Sequence, residues 1–94
     1  MTFPDMYALP TPAAVIDLER LQNNTRWMAR RAHSLGVKLR PHVKTHKCVE
    51  AARHQVEDHF GGITVSTLAE AEFFSQAGFD DITYAVPLAP GRIA

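Results

Sequence analysis

The first regular feature of the chain is a stripe of apolar and small residues that recur at alternating steps of three and four between positions 18 and 35. This spacing places the residues on one face of an amphipathic α-helix. Asp17, just before the stripe, is a typical N-cap residue, and Gly36 fits the position at which helices end. The predicted face consists of Leu18, Leu21, Thr25, Met28, Ala32 and Leu35.

The pattern changes to strict alternation over residues 37–44, which predicts a β-strand. Pro41 fits this strand awkwardly, because proline has no N–H to donate to a ladder. Helices require apolar contacts, so the odd-numbered residues of this strand are expected to face the helices. The even-numbered residues are then expected to face a barrel interior or a cleft. The odd side carries Val37, Leu39, Pro41 and Val43, and the even side carries Lys38, Arg40, His42 and Lys44.

The remaining chain continues the exchange of helices and strands. A helix is predicted over 46–58, a strand over 63–67, a helix that starts at Thr67, and a strand over 81–86. Thr67 and Glu70 match the capping-box pattern S/T-x-x-E. The helix after Thr67 is expected to bury Leu68, Ala71, Phe74 and Ala77 and to end at Gly78.

The N-terminal residues differ in character from the rest. Three prolines in residues 1–12 predict an extended arm, and residues 13–17 ("AAVID") predict a short strand. The resulting order of strands and helices is typical of an α/β fold with parallel pairing. So few strands predict the opening of a larger fold over residues 1–94, and the alternative is a small α/β sandwich that is complete in itself.

Composition narrows the class of protein. The chain is 46% hydrophobic and its ten basic side chains balance ten acidic ones, which argues against a nucleic-acid or anionic-membrane binder. The single cysteine cannot form an internal disulfide, which fits a reducing compartment. No signal peptide or membrane span is apparent, so we expect a cytoplasmic protein.

The segment "RPHVKTHK" (40–47) concentrates basic side chains in one place. Functional residues of α/β folds gather at the carboxyl ends of the strands, and Lys44 is the last residue of its predicted strand. A lysine that points into a cleft is desolvated, which lowers the pKa of its amine and permits attack on an aldehyde. The alternative is a solvated lysine at a strand end.

Three stretches in this order, "TPAAVIDL" (11–18), "RPHVKTHK" (40–47) and "VSTLAEAE" (65–72), resemble the D-threonine aldolase and D-serine dehydratase family. These are pyridoxal-phosphate enzymes of the alanine-racemase-like type, fold type III. The resemblance implies the N-terminal part of a (β/α)₈ barrel, incomplete in this chain, with a mostly β domain to follow. It also implies that Lys44 forms the Schiff base with pyridoxal 5′-phosphate.

Other residues of the basic segment are candidates for cofactor contacts. His42 and Arg40, on the inward side, could hydrogen-bond around the cofactor lysine or form a buried polar layer, the second role being favoured for Arg40. His46 could sit beside the cofactor or cap the turn, and Lys47 is expected to be solvated. His42 and His46 do not lie on one helix, so we reject a zinc site built on this pair. The resemblance places any divalent metal on residues later in the chain.

The resemblance implies a lyase that acts on a D-3-hydroxy amino acid, in the manner of D-threonine aldolase. The alternatives are a D-serine dehydratase or a racemase of the same fold, and a truncated chain without catalysis. The implied partner is a small D-amino acid, with neither nucleic acid nor membrane. A homodimer is compatible with the intact enzyme.

Overall fold

The computed structural model describes residues 5–93 and has the α/β architecture that the sequence predicts, with strands and helices in alternation. In chain order the elements are a 3₁₀ turn at Met6–Ala8, α1 (Leu18–Ser34), α2 (Val49–Val56), β1 (Ile63–Val65), α3 (Leu68–Gln76), β2 (Ile82–Tyr84) and a 3₁₀ turn at Pro90–Arg92.

The sheet is parallel and has β1 at its centre. On one side β1 pairs with β2, with Ile63 opposite Ile82. On the other side lie residues 41–43, because the Thr64 N–H donates to the Pro41 carbonyl at 2.8 Å and the Thr64 carbonyl accepts the Val43 N–H at 3.0 Å. Three chain segments therefore run in the same direction and end at the same edge.

The regular strand predicted over 37–44 is wrong in its extent. Only His42 is bridged, to Thr64, and Val37 is 55% exposed. Pro41 has no N–H and thus interrupts the ladder, as its awkward fit suggested. The predicted alternation nevertheless holds over residues 40–44, in which Pro41 and Val43 are buried and the residues between and after them are half-buried or exposed.

The N-terminal predictions are also corrected. Residues 13–17 are exposed and form no strand, because no other segment of residues 5–93 pairs with them. Of the arm predicted over 1–12, residues 1–4 lie outside the described range. Met6–Ala8 are not extended but form a 3₁₀ turn, whose first residues are held by the Asp5 carboxylate as it accepts the Tyr7 N–H at 3.0 Å.

The helix ends follow from local chemistry and confirm the predicted caps. The Asp17 carboxylate accepts the Arg20 N–H at 3.1 Å and so begins α1. Gly36 follows α1 with φ +66°, and Gly78 follows α3 with φ +102°, a region that favours glycine. The helix predicted over 46–58 is shorter, because residues 44–47 are used for a turn.

The core lies between the sheet and the helices α2 and α3. Among the described residues, five side chains are fully buried there: Val43, Ala52, Ile63, Val65 and Phe74. Phe74 also packs edge-on against Phe79, with ring centroids 5.6 Å apart. Of the predicted face of α3, Ala71 and Ala77 pack at the margin of this core, whereas Leu68 is 40% exposed.

The predicted apolar face of α1 is only partly correct. The helix contacts α2 through small side chains, and Ala29 and Ala32 are its buried residues. Leu18, Met28 and Leu35 lie on the predicted stripe but are exposed within the described part of the chain. The reason is the shape of the contact, because close helix approach through alanine leaves the longer side chains outside it.

The amino edge of the sheet is fastened by Arg40. Its Nη1 donates to the Ile63 carbonyl at 3.3 Å, to the Asp81 carbonyl at 3.1 Å and to the Asp81 carboxylate at 2.7 Å. The guanidinium also lies over the ring of Phe60, 5.1 Å from its centroid. Arg40 thus connects residues 41–43 to the first residue of β1 and to the residue before β2.

We predict that Asp81→Asn destabilises the chain at neutral pH and has little effect in acid. The hydrogen bond from Arg40 lowers the pKa of the Asp81 carboxyl below its ordinary value. The stabilisation is therefore complete above the ordinary carboxyl pKa and is lost as the pH falls through the lower, folded-state pKa. Urea-unfolding midpoints measured over a range of pH test this, with Asp80→Asn as the neighbouring control. A difference that does not depend on pH would contradict it.

We also predict that Gly62→Ala costs about 1–3 kcal/mol of stability, the usual range for overpacking. A Cβ on Gly62 would overlap the Phe60 ring and would come within 2.8 Å of Arg40 Nη1, which is held by its three acceptors. Gly91→Ala is the matched control, because a Cβ there meets nothing within 4 Å. Chemical denaturation compares the variants, and equal stabilities would show that the amino edge adapts freely.

Candidate active site

The carboxyl edge of the sheet brings together the ends of all three parallel segments. Val43 is joined to Thr64, and the Ala85 N–H donates to the Val65 carbonyl at 3.1 Å. Lys44 therefore leaves the sheet beside the end of β1, where Ser66 follows. Polar side chains at this edge are in the usual position for chemistry in an α/β fold.

Lys44 and Val43 differ completely in their environment. The Val43 side chain is fully buried in the core, whereas Lys44 is exposed. The backbone N–H of Lys44 donates to Nδ1 of His42 at 3.2 Å. The lysine amine is thus accessible at the carboxyl edge, and residues 5–93 do not provide the desolvation that the strand pattern predicts for it.

The turn after Lys44 is closed by backbone and histidine contacts. The Lys47 N–H donates to the Val43 carbonyl at 2.9 Å, and Lys47 itself has the left-handed φ of +52°. His46 Nδ1 accepts the Cys48 N–H at 2.9 Å. Since this nitrogen is an acceptor, the proton of a neutral ring lies on Nε2, which donates to Gln55 Oε1 at 2.8 Å. These contacts favour the turn-capping role for His46.

His42, one of the candidates for a cofactor contact, lies beside Lys44 at the carboxyl edge. Its ring is half-buried, and Nδ1 accepts the N–H of the residue two positions later, as it does in His46. A side-chain acceptor on the backbone of Lys44 restricts the direction in which the lysine leaves the sheet. His42 is therefore placed to position Lys44.

Arg40 is not brought to this edge. Its guanidinium lies at the amino edge, bound to Ile63 and Asp81. This location favours the structural role of Arg40 over a cofactor contact. Lys44, His42 and the 44–47 turn remain together at the carboxyl edge.

Glu70 is a site residue that the sequence interpretation missed. It is 5% exposed, and its Oε2 accepts the hydroxyls of Thr67 at 2.7 Å and Ser66 at 3.0 Å. The Thr67 hydroxyl in turn accepts the Glu70 N–H at 3.0 Å. The capping-box pattern identified the pair but not the burial of the carboxylate, which depends on the fold of the sheet edge.

The surroundings favour the ionised form of Glu70. The hydrogen bond from Thr67 lowers the pKa of the Glu70 carboxyl most strongly, and burial acts against it. Ser66, Lys47 and His42 lower the pKa further. The charged carboxylate therefore links the start of α3 electrostatically to the segment that carries Lys44.

Residues 5–93 contain no group of three or more His, Cys, Asp or Glu side chains that could hold a metal ion. Within the same range, none of the helices combines the length and the apolar character that a bilayer crossing requires.

Known proteins resemble this chain over nearly its whole length. It is 54% identical over 88 residues to a D-threo-3-hydroxyaspartate dehydratase of Delftia sp. (strain HT23), covering 94% of this chain and 23% of the relative. It is 44% identical over 94 residues to a D-serine dehydratase of Dictyostelium discoideum, covering 95% and 24%. It is 42% identical over 72 residues to a D-threonine aldolase of Arthrobacter sp., covering 77% and 19%.

The solved structure of the Delftia dehydratase superposes with a TM-score of 0.85 at 56% identity, over 92% of this chain and 23% of that one. The chain thus spans less than a quarter of the relatives it matches. The superposition confirms the predicted fold class, the N-terminal part of a (β/α)₈ barrel. Residues 16–92 match the family model described as "Alanine racemase, N-terminal domain". The chain belongs to this family, with D-3-hydroxy amino acid dehydratases and aldolases among its relatives.

Proposed function

We propose that these residues form the first part of the barrel of a pyridoxal-phosphate lyase that acts on a D-3-hydroxy amino acid, and that Lys44 attaches the cofactor. The observation that carries the proposal is the position of Lys44. It is an accessible amine at the carboxyl edge of a parallel sheet, directly after the fully buried Val43. The family relationship supports the same residue.

The residues at the carboxyl edge fit the aldehyde group of the cofactor. Lys44 would supply the amine to which the aldehyde group of the cofactor attaches. His42 holds the Lys44 backbone through Nδ1. We assign contacts to the phosphate and the ring, and any divalent metal, to other parts of the protein, as the resemblance implies.

The bound cofactor would act as an electron sink for a carbanion at the substrate α-carbon. The role of this chain is to hold the attachment amine. During the reaction the Lys44 Nζ, at the carboxyl edge, would be the group of this chain that takes up and returns a proton. This role is common to dehydration, aldol cleavage and racemisation.

Among these reactions we propose dehydration, which converts the substrate to a keto acid and ammonia. Two relatives named as dehydratases are 54% and 44% identical to the chain, compared with 42% for the relative named as an aldolase. The resemblance of the motifs alone favoured the aldolase. Aldol cleavage, which gives glycine and an aldehyde, is the second candidate because of that relative.

We predict that Lys44→Ala abolishes cofactor attachment. The test uses a hybrid enzyme that joins residues 1–94 to the remaining part of the Delftia dehydratase, whose matched segment is 54% identical. With pyridoxal phosphate the unmodified hybrid is expected to become yellow, and borohydride is expected to fix the label on Lys44. The Lys44→Ala hybrid is expected to stay colourless, because the amine is missing.

Lys38→Ala is the matched control for Lys44→Ala. Lys38 is an exposed lysine of the same segment, but it lies over the Phe60 ring towards the amino edge. This variant is expected to keep the yellow colour. Peptide mapping of the reduced protein decides the assignment, and a label on Lys38 or Lys47 would refute the role given to Lys44.

We further predict that the full-length enzyme carrying these residues releases ammonia and a keto acid from D-threo-3-hydroxyaspartate or D-serine. Product analysis separates this outcome from aldol cleavage, because glycine forms only when the Cα–Cβ bond breaks. Glycine as the main product from a D-3-hydroxy amino acid would reject dehydration while leaving the cofactor proposal intact.

A further inference from the structure

Glu70 has one carboxylate oxygen that the described residues leave without a partner. Oε2 accepts two hydroxyl hydrogen bonds, whereas Oε1 is buried and accepts none. Buried polar atoms in native proteins are nearly always hydrogen-bonded, and an unpartnered oxygen on a charged group is especially unfavourable. The position of Oε1 therefore points to a donor that completes this site.

Among the described residues, Lys47 and His42 are the basic side chains whose charge acts on the Glu70 carboxylate. Both lower the pKa of Glu70, and Lys47 has the larger effect. His42 already uses Nδ1 for the Lys44 N–H, and its half-buried ring has little freedom to move. Lys47 has a long, exposed side chain that ends in an amine with several N–H donors, so it is the better donor.

The backbone brings Lys47 and Glu70 to the same place from two directions. Lys47 is tied to the end of its segment, because its N–H donates to the Val43 carbonyl. Glu70 is tied to the end of β1 through Ser66 and Thr67. The two anchors lie at the same edge of the sheet, because the Val43 N–H is bonded to the carbonyl of Thr64, two residues before Ser66.

The backbone of Lys47 is a third, independent observation. Its φ of +52° lies in the left-handed region that residues other than glycine seldom adopt. A favourable contact of the side chain would offset the cost of this conformation. The same residue thus has an unusual backbone conformation and a basic side chain whose charge acts on the Glu70 carboxylate.

We propose that the Lys47 ammonium donates to Oε1 of Glu70 and closes the 44–47 turn onto the start of α3. Glu70 and Lys47 are then positioning residues for Lys44, which lies in the same turn. The inference that Lys47 and Glu70 are in contact depends on the structure alone. The inference that this contact affects cofactor attachment also depends on the proposed function. The two lysines of "KTHK" have separate tasks, with Lys44 reacting and Lys47 holding the turn.

The experiment is a double-variant cycle in the hybrid enzyme, with the rate of pyridoxal-phosphate attachment to Lys44 as the readout. Glu70→Gln and Lys47→Met are each expected to slow attachment about three- to tenfold, which lies towards the lower end of the effects found for residues in contact. The double variant is expected to be no slower than either single variant. Lys47→Arg, which keeps the charge and a donor, is expected to restore most of the rate.

A parallel cycle of Glu70→Gln with His42→Asn tests the competing donor. If Glu70 couples to His42 and not to Lys47, the proposed contact is overturned. Independent effects of Lys47→Met and Glu70→Gln, whose fold-changes simply multiply, overturn it as well. So does a Lys47→Arg variant that is as slow as Lys47→Met, because a role in general packing would not be rescued by charge.

Failure of the proposed function gives a different result. If the unmodified hybrid does not take up pyridoxal phosphate at all, the cofactor assignment is wrong, but the ion pair is still measured. The thermal-unfolding midpoints of the same four proteins then form the cycle. Non-additive shifts support the Lys47–Glu70 contact, and additive shifts reject it.

Discussion

Two backbone hydrogen bonds to Thr64 determine most of what this chain can do. They hold residues 41–43 alongside β1, with lengths of 2.8 Å to Pro41 and 3.0 Å from Val43. Without them the "RPHVKTHK" segment would be a basic loop with no fixed relation to the sheet. With them Lys44 is placed at the edge where β1 also ends. Because Pro41 cannot donate, the register depends on these few bonds and on the burial of Val43.

Burial of Val43 gives the segment its direction. The side chain lies in the same core cluster as Val65 and Phe74, and all three are fully buried. Neighbouring residues of an extended segment point to opposite faces, so a buried Val43 directs Lys44 away from the helices. The hydrophobic burial of Val43 thus sets the direction of Lys44, whose polar side chain would gain little free energy of its own from either orientation.

Local chemistry made part of this structure predictable from the sequence. The helix caps depend on contacts within a few residues, and the sequence identifies them at Asp17 and Thr67. The helix ends are equally local, and they lie at Gly36 and Gly78. The position of Lys44 also followed, because alternation and the order of elements set it. The burial of Glu70 did not, since it depends on residues that meet only after the sheet forms.

The other incorrect predictions also depend on contacts between residues that are distant in the sequence. The strand predicted over 13–17 would need a partner that residues 5–93 do not provide. The role of Arg40 depends on Asp81, which lies 41 positions further along the chain. The stripe on α1 was recognised correctly as helical, but the surface of a helix does not reveal which of its residues a neighbouring helix will cover.

Arg40 and Lys44 stand only four positions apart, yet one fastens the amino edge of the sheet and the other is exposed at its carboxyl edge. A single turn of helix could not separate two side chains in this way, whereas an extended segment crosses the whole sheet. Substitutions at the carboxyl end of the segment can therefore change the exposed edge while Arg40 at the other end keeps the strands joined. Descendants of one such sheet can acquire different chemistries with little loss of stability.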